Sequence, residues 1–353
     1  MNRSLTDSAL FNSPASYRGG FERGLEHLLE VGGLNLFILV AANASFEASL
    51  FADLRGALQE RFREHSDRLS QAFSQGMQIQ EADDDLLVFL KMTCAGFEAL
   101  EPTERRSAGP WEVQFNHLRS FRPLRNSQRP MDSIRAPFDA HGFHFNKPFI
   151  QQEALWSGEL LGRHIDLYYN KYPFVELHSL LVPERERCLP QYHREDMHAF
   201  IWRLAEQLAG GLPGVRIGFN ALGAFASVNH LHYQVSVRDE PLPVELAQWR
   251  HNGGGAEYPV NCRAFDDAGE AWAFIAALHA SNQAYNLLYT PGRMYCMPRR
   301  LQGHFALADW SSGFSWYEMS GGMITFSHRD YVALHAPEIE KQLQYARLEG
   351  GVP

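Results

Sequence analysis

Two histidines and a glutamine separated by single residues, His230, His232 and Gln234, are the part of this chain best suited to chemistry. They lie in His230-Leu231-His232-Tyr233-Gln234, where polar and apolar residues alternate as in a strand with one buried face. The period of two puts the two imidazoles and the amide on one side, and Leu231, Tyr233 and Val235 on the other. One imidazole, partly neutral at pH 7, can act as a nucleophile toward an anion such as a phosphate ester. The other can orient it, and the amide can donate to a phosphoryl oxygen. The same pattern also suits a strand whose histidines merely fill hydrogen bonds at a sheet edge, and, less well, a metal site. The preceding residues Gly218, Ala221, Gly223, Ala224, Ala226 and Ser227 carry little bulk. A phosphate could approach the backbone there, or the chain could turn tightly.

The elements that must position these residues follow from periodicity. A strand over 215–220 feeds the histidine segment. An amphipathic helix over 193–209 precedes it, with Met197, Phe200, Ile201, Leu204 and Leu208 on one face and Gly210-Gly211 at its end. Strands are expected over 151–160 and 165–170, joined at Gly162-Arg163-His164. Upstream, the spacing predicts a helix over 21–31 and a long one from a Ser45 cap to Phe73, with Leu50, Leu54, Leu58 and Phe62 as its stripe. The run 34–42 reads as a buried strand or helix segment, too short to cross a bilayer. Residues 86–92 read as a buried strand, and 111–118 as another with Trp111, Val113 and Phe115 on one face. Downstream come a short helix over 243–249, a glycine loop at 251–255 and a helix over 268–280. The loop lacks P-loop spacing and reads as a linker. A hairpin over 284–290 and 293–299 turns at Pro291-Gly292, and a terminal helix covers 331–348.

The chain has 353 residues, enough for one large domain or two moderate ones. Its 41 acidic residues against 32 Lys and Arg give a net charge of −9, which argues against a protein that coats nucleic acid. Cys94, Cys188, Cys262 and Cys296 are far apart with no CxxC pair, so neither a disulfide framework nor a four-cysteine zinc site is expected. No signal peptide or membrane-spanning run is evident, and a cytoplasmic protein without membrane or nucleic-acid partners is expected. The basic tract Arg119, Arg122, Arg125 and Arg129 is either a solvated linker or a loop that brings cations to a diphosphate.

The stretch GFNALGAFASVNHLHYQ, residues 218–234, closely resembles the active-site signature of the GDP-hexose phosphorylases, the GDP-L-galactose and GDP-D-glucose phosphorylases. These belong to the histidine-triad superfamily, in the branch with galactose-1-phosphate uridylyltransferase and diadenosine tetraphosphate phosphorylase, where Gln replaces the third His, as Gln234 does here. Arg129-Pro130, Pro137-Phe138-Asp139 and Phe143-His144-Phe145-Asn146-Lys147 resemble the segment before the first core strands of that family. Residues 170–183 resemble the superfamily's Asn, Pro and Gly-His pattern, with Leu177 standing where Gly is usual. The hairpin at 284–299 and Trp316 to Met323 resemble later family segments, so the likeness covers roughly 111–335.

The resemblance implies an α+β fold: a histidine-triad-like antiparallel sheet, a half-barrel of two degenerate structural copies, with helices packed outside. The second copy would be 283–328. A helical N-terminal region, 1–110, would precede a nucleotidyltransferase or phosphorylase domain, 111–353. Activity would be phosphorolysis of a nucleoside diphosphate hexose through a nucleotidyl-His232 intermediate. Gln234 would donate to a non-bridging oxygen, and His230 with Ser227 to Asn229 would hold the phosphate. Relatives place the residue at Asn170 near the ribose and use the His at His178 to buttress the catalytic strand. Asn220 would lie with the phosphate-binding residues, and Lys147 and Arg129 near the nucleotide. No cofactor would be required beyond inorganic phosphate as co-substrate. No metal is carried over, because the CxxC that holds one in some uridylyltransferase relatives is missing. The partners would be a nucleotide-sugar or dinucleotide substrate and a second copy of the chain in a homodimer. Two alternatives stand beside this: phosphorolysis of a dinucleoside polyphosphate or transfer to another acceptor, and non-catalytic nucleotide binding.

Overall fold

The structure, a computed structural model, describes residues 8–123, 129–311 and 313–348. Arg125 of the basic tract lies outside them. Helix α1 (Pro14–Val31) starts earlier than its apolar stripe suggests, because Ser13 caps it, its hydroxyl accepting from the Ser16 N–H at 3.0 Å, and Pro14 opens the first turn. Its Tyr17, Phe21, Leu25, Leu28 and Leu29 face inward. The run left open between strand and helix forms α2 (Leu34–Phe46), apolar all round and buried on every side but Asn35. The chain then breaks at Glu47, in extended conformation, before α3 (Ala48–Ser74). Ser45 is therefore not the cap expected of it; it lies inside α2, its hydroxyl donating to the Ala42 carbonyl at 3.0 Å. The strand expected at 86–92 is also corrected, to a helix, α4 (Asp83–Ala95). Three aspartates in its first turn suit the positive end of the helix dipole, and Val88, Phe89 and Met92 form a helical face. Seven apolar-rich residues could not distinguish that face from a buried strand.

Eight strands form one antiparallel sheet: β3 (Ala154–Leu160), β4 (Arg163–Tyr169), β5 (Ser179–Pro183), β6 (Val215–Asn220), β7 (Tyr233–Val237), β8 (Arg263–Phe265), β9 (Tyr285–Thr290) and β10 (Arg293–Pro298). Their order is β3-β4-β5-β7-β6-β9-β10-β8, so β7 sits near the middle. The sheet is open rather than a barrel, and β9 and β10, from the stretch expected to form a second copy, simply extend it beside β6. A smaller sheet joins β1 (Glu104–Ala108), β2 (Trp111–Phe115) and β11 (Gly322–Thr325), with a one-turn helix α5 (His117–Ser120) after β2. The strand at 151–160 begins only at Ala154, after a 3-10 stretch opened by Pro148. Helices α6 (Glu195–Leu208) and α7 (Ala268–Ala280) lie where periodicity puts them. The short helix expected at 243–249 is a 3-10 turn at Pro243–Glu245. A short α8 (Trp316–Met319) precedes β11, and the terminal helix splits into α9 (His328–Ala333) and α10 (Ala336–Ala346). Pro337 has no N–H to carry the α9 ladder onward and sits instead in the first turn of α10, where none is needed.

Each face of the main sheet has its own cover. Leu167, Tyr169, Leu181, Ile217, Phe219, Tyr233, Val235, Leu287 and Tyr289 pack into one core with residues of α1, α2, α6 and α7. Three hydrogen bonds tie the N-terminal helices to the strands: Tyr17 Oη with Ser179 Oγ at 2.8 Å, Tyr169 Oη to the Phe21 carbonyl at 2.7 Å, and Asn43 Nδ2 to the Asn170 carbonyl at 2.9 Å. The opposite face carries Gln234, Gly218 and Asn220. It is covered by α8 and the small sheet, and beside them by Phe145 and Ile150 against Tyr168 and Val182. The expectation of one buried and one open face is thus corrected: closed on both sides, the sheet must hold its polar residues by hydrogen bonds.

The turn before His178 shows how Leu177 replaces glycine. Leu177 sits at φ 49°, in the left-handed region, and is 5% exposed. Left-handed backbone strains a leucine by about 1–2 kcal/mol, whereas removing a buried leucine side chain costs about 3 kcal/mol. Burial wins. Leu177→Gly is expected to lose about 1–2 kcal/mol net, read from the urea midpoint; a gain in stability would contradict this balance.

Candidate active site

His232 lies at the mouth of β7, not within it, because the ladder begins at Tyr233. The expectation of a rigid strand running through both histidines is corrected accordingly. A side chain takes the place of the missing ladder. Gln191 Oε1 accepts from the His232 N–H at 2.9 Å, while Gln191 Nε2 donates to the His232 carbonyl at 3.1 Å and the Asn220 carbonyl at 2.9 Å. Next to it, the Leu231 N–H donates to the Leu189 carbonyl at 2.8 Å. These bonds hold the backbone just ahead of β7 in place.

The His232 ring is held by its own chain. Nδ1 lies 2.8 Å from the His230 carbonyl, an acceptor only, so Nδ1 carries the proton and Nε2 the lone pair. Nε2 has no protein partner among the described residues, yet is not sealed from solvent as His230 Nε2 is. The ring is 4% exposed, and burial pushes its pKa down to about 4, opposed by the bond to His230. At neutral pH the imidazole is therefore unprotonated.

His230 is fixed differently. Its Nδ1 accepts from the Phe145 N–H at 3.1 Å, and Phe138 meets its ring edge-on at 5.2 Å between centroids. The Phe145 ring lies 5.5 Å from His230 and 5.4 Å from His232, a wall between the two imidazoles and Tyr168. Burial, then the neighbouring His232, lowers the His230 pKa to about 4. Arg185 stands beside this pair, its Nε 2.9 Å from Asp166 Oδ2 and its Nη1 donating to Asn146 Oδ1 at 2.9 Å. It is an anchored cation close to the histidines.

Gln234 faces the same side, and its amide is oriented unambiguously. Oε1 accepts from Trp316 Nε1 at 2.9 Å and from His178 Nε2 at 3.1 Å. His178 Nδ1 accepts from the Phe174 N–H at 3.3 Å, which leaves the proton on Nε2. With Oε1 doubly held, the Gln234 NH2 turns away from both donors and is free to donate outward. His178 is fully buried, and burial followed by the Arg119 charge lowers its pKa to about 3. Trp316 reaches Gln234 because Gly218 has no side chain: a Cβ there would lie 2.3 Å from the indole.

Of the other residues singled out in the sequence, Asn170 adjoins this group, its Nδ2 3.2 Å from His178 Nε2 and its Oδ1 accepting from the Tyr172 N–H. Asn220 is buried, its Oδ1 accepting from Trp316 N and Asn286 Nδ2, both at 2.7 Å. Asn229 spends its amide on the Gln191 N–H and the Pro137 carbonyl, clamping two loops. Ser227 is exposed in the lead-in. Lys147 Nζ reaches only the Ala140 carbonyl, at 3.4 Å, and Arg129 is exposed on the surface, its carbonyl held by Gln302 Nε2. Gln191, Phe145, Arg185 and Trp316 escaped the sequence reading. Gln191 and Arg185 lie in a loop without periodicity. Phe145 and Trp316 stood inside quoted family segments but look like ordinary core residues. Among the described residues no group of three or more His, Cys, Asp or Glu could hold a metal ion, and no helix is long and apolar enough to cross a membrane.

The structure thus brings together a neutral imidazole with a free Nε2, a backbone-held Nδ1 and a neighbouring outward amide on an antiparallel sheet. Residues 111–236 match the family model described as GDPGP1-like, N-terminal domain. GDP-D-glucose phosphorylase 1 of Danio rerio is 35% identical over 165 residues, 40% of this chain and 46% of that protein. Its Homo sapiens counterpart is 38% identical over 130 residues, 35% of this chain and 33% of that protein. GDP-L-galactose phosphorylase 2 of Arabidopsis thaliana is 27% identical over 264 residues, 62% of this chain and 60% of that one. The chain thus spans less than half of the two animal relatives. Among solved structures, yeast Ap4A phosphorylase Apa2 in complex with Ap4A matches with a TM-score of 0.46 and 13% identity, over 76% of this chain and 99% of that one.

Two predictions follow from the buried groups. Burial lowers the pKa of His178, His193, His198, His230, His232 and His279 in the folded chain. The unfolded chain, with histidines near their ordinary value of 6.5, binds more protons below that pH. The stability these neutral rings contribute is full above pH 6.5 and is lost as pH falls toward their folded values. Glu153 and Glu318, whose pKa values burial raises, act in the opposite sense but are outnumbered. The urea midpoint is expected to be lower at pH 5 than at pH 7, and equal midpoints would refute this account. Separately, Gly218→Ala should displace the Trp316 indole and destabilise the fold by about 1–3 kcal/mol; an unchanged urea midpoint would count against that close approach.

Proposed function

We propose that the chain catalyses phosphorolysis of a nucleoside diphosphate hexose of the GDP-hexose kind, with His232 as the nucleophile. The supporting observation is the bond from His232 Nδ1 to the His230 carbonyl, which fixes the tautomer and leaves the Nε2 lone pair free. Similarity to GDP-D-glucose and GDP-L-galactose phosphorylases supports the choice of substrate class.

In the first step Nε2 attacks the α-phosphorus in line. The bond from that phosphorus to the bridging oxygen breaks, and its electron pair leaves with hexose 1-phosphate. The imidazole, now bonded to phosphorus, carries a positive charge that the His230 carbonyl stabilises through Nδ1–H. In the second step an oxygen of inorganic phosphate attacks the same phosphorus and the P–N bond breaks. The pair returns to Nε2, and the product is the nucleoside diphosphate. A neutral nucleophile avoids the repulsion that two anions would suffer in a single displacement. The outward NH2 of Gln234 donates to a non-bridging oxygen as charge builds there, and Arg185 adds a nearby cation. Inorganic phosphate is the only co-substrate in this scheme. The four cysteines, none in a disulfide, fit a reducing compartment such as the cytoplasm.

His232→Asn should lower turnover of GDP-hexose with phosphate by at least about a thousandfold, while circular dichroism stays that of the parent. With substrate labelled in the α-phosphate and no added phosphate, the parent chain should retain label after denaturation in alkaline detergent, where a P–N bond survives, and lose it on acidification, and the variant should retain none. Full turnover by the variant would exclude His232 as the nucleophile. A panel of other nucleotide sugars and dinucleoside polyphosphates would show a different substrate class, and binding of panel members without turnover would leave only a nucleotide-binding protein.

A further inference from the structure

Arg299, the residue after β10, is fully buried at 0% exposure. A guanidinium in such a place is expensive unless its hydrogen bonds compensate, yet no ion pair at salt-bridge distance holds it among the described residues. Its face packs on the rings of Phe225 and Phe305, 4.8 and 5.3 Å from their centroids. Nη1 donates to the Phe314 carbonyl and, at 3.1 Å, to Asn286 Oδ1, while Nη2 has no partner. Glu318, the nearest acid to act on it, is committed to the Ser315 cap of α8, its Oε2 accepting from the Ser315 N–H and hydroxyl.

What Arg299 does have is the first position in a chain of side chains that ends at Gln234. A guanidinium only donates, so the Asn286 atom facing it must be the oxygen. The Asn286 NH2 then points the other way, to Asn220 Oδ1 at 2.7 Å and the Ala224 carbonyl at 3.0 Å. Asn220 Oδ1, thereby identified, accepts the Trp316 N–H at 2.7 Å and fixes the first residue of α8. The Trp316 indole N–H, again only a donor, ends on Gln234 Oε1 at 2.9 Å. Each amide in the series could be turned over by half a rotation at little steric cost. Groups of fixed kind set the sense of each one locally, the Ala224 carbonyl at Asn286, the Trp316 N–H at Asn220 and the indole N–H at Gln234, so what Arg299 anchors is the place of the whole series.

We propose that Arg299 is a positioning residue for the transfer reaction, acting through Asn286, Asn220 and Trp316 to keep the Gln234 NH2 turned toward the reacting phosphate. The proposal rests on the phosphorolytic reading above and adds to it a residue that touches no substrate. Lysine at this position would keep a cation but could not span both the Phe314 carbonyl and Asn286 with one planar group. Asn286 would lose its anchor and shift against Asn220, and the displacement would pass through the Trp316 N–H to the indole that holds Gln234 Oε1.

The test is a double-mutant cycle with Arg299→Lys and Gln234→Ala, using circular dichroism to normalise to folded protein. Arg299→Lys alone should lower kcat about tenfold or more with KM changed less than about twofold, since transition-state contacts are lost and ground-state binding is not. In the Gln234→Ala background the same change should cost less than about twofold, because its route to the reaction is already gone. Equal losses in both backgrounds, or none in either, would overturn the proposal and leave Arg299 with a packing role alone. A second measurement does not depend on the reaction. The 15N-labelled Gln234 side-chain amide should give one pair of proton resonances in the parent and a shifted or doubled pair in Arg299→Lys. An unchanged pair would overturn the proposal even if no nucleotide sugar were turned over, whereas absent turnover with the shift present would sink only the substrate assignment.

Discussion

One short hydrogen bond sets the chemistry of this protein: His232 Nδ1 to the carbonyl of His230, two residues earlier in its own backbone. Imidazole has two nitrogens and, when neutral, one proton, so any acceptor that claims the proton at Nδ1 decides what Nε2 can do. Here the acceptor comes from the backbone and cannot rotate away. Much of the surrounding structure serves to hold those two residues in place. Gln191 stands in for a neighbouring strand, Leu189 supplies a carbonyl to Leu231, and Phe145 fills the space beside both rings. Burial then works in the same direction as the bond, because a ring taken out of water resists protonation.

The two halves of the site are built on different principles. Around His232 the partners are backbone groups and an aromatic wall. Around Gln234 they are side chains that must agree on their orientations: His178 on one side, and Trp316, Asn220 and Asn286 on the other. A group of neutral amides is cheap to bury when every donor meets an acceptor, but costly when one is reversed. That dependence is why Gly218 matters, since it lets the Trp316 indole lie close enough to the sheet to complete the series.

The sequence was most legible where a residue's role depends on near neighbours. The period of two around His232 put His230, His232 and Gln234 on one face. The helices at 195–208 and 268–280 and the hairpin at 285–298 followed from spacing and turn residues. It was least legible where long-range packing decides. Seven residues around Val88 fitted a strand until the aspartates before them and the helices beside them were known. Ser45 looked like a cap but sits two residues ahead of the cap position, inside α2. The strand begins only after His232 because the partner of that residue's backbone is the side chain of Gln191, and no local pattern announces a glutamine that will act as backbone. Lys147 and Arg129 were singled out by family position and lie at the surface, while Arg185, in a tight loop after β5, is the cation beside the histidines. Whether the histidines were a catalytic pair or sheet-edge filler could not be read from their alternation; their partners favour the first.

The helices that come before the family-like segment have no counterpart in the motif, yet α2 reaches the site directly through Asn43, whose amide holds the Asn170 carbonyl, and Tyr17 meets Ser179 on β5. Their apolar sides are interleaved with those of the strands in one continuous interior. The reactive centre is consequently not a portable cassette. Excised at the boundary where the recognisable signature begins, it would bare a greasy flank and lose the brace behind Asn170, so this polypeptide must be inherited and engineered as a whole.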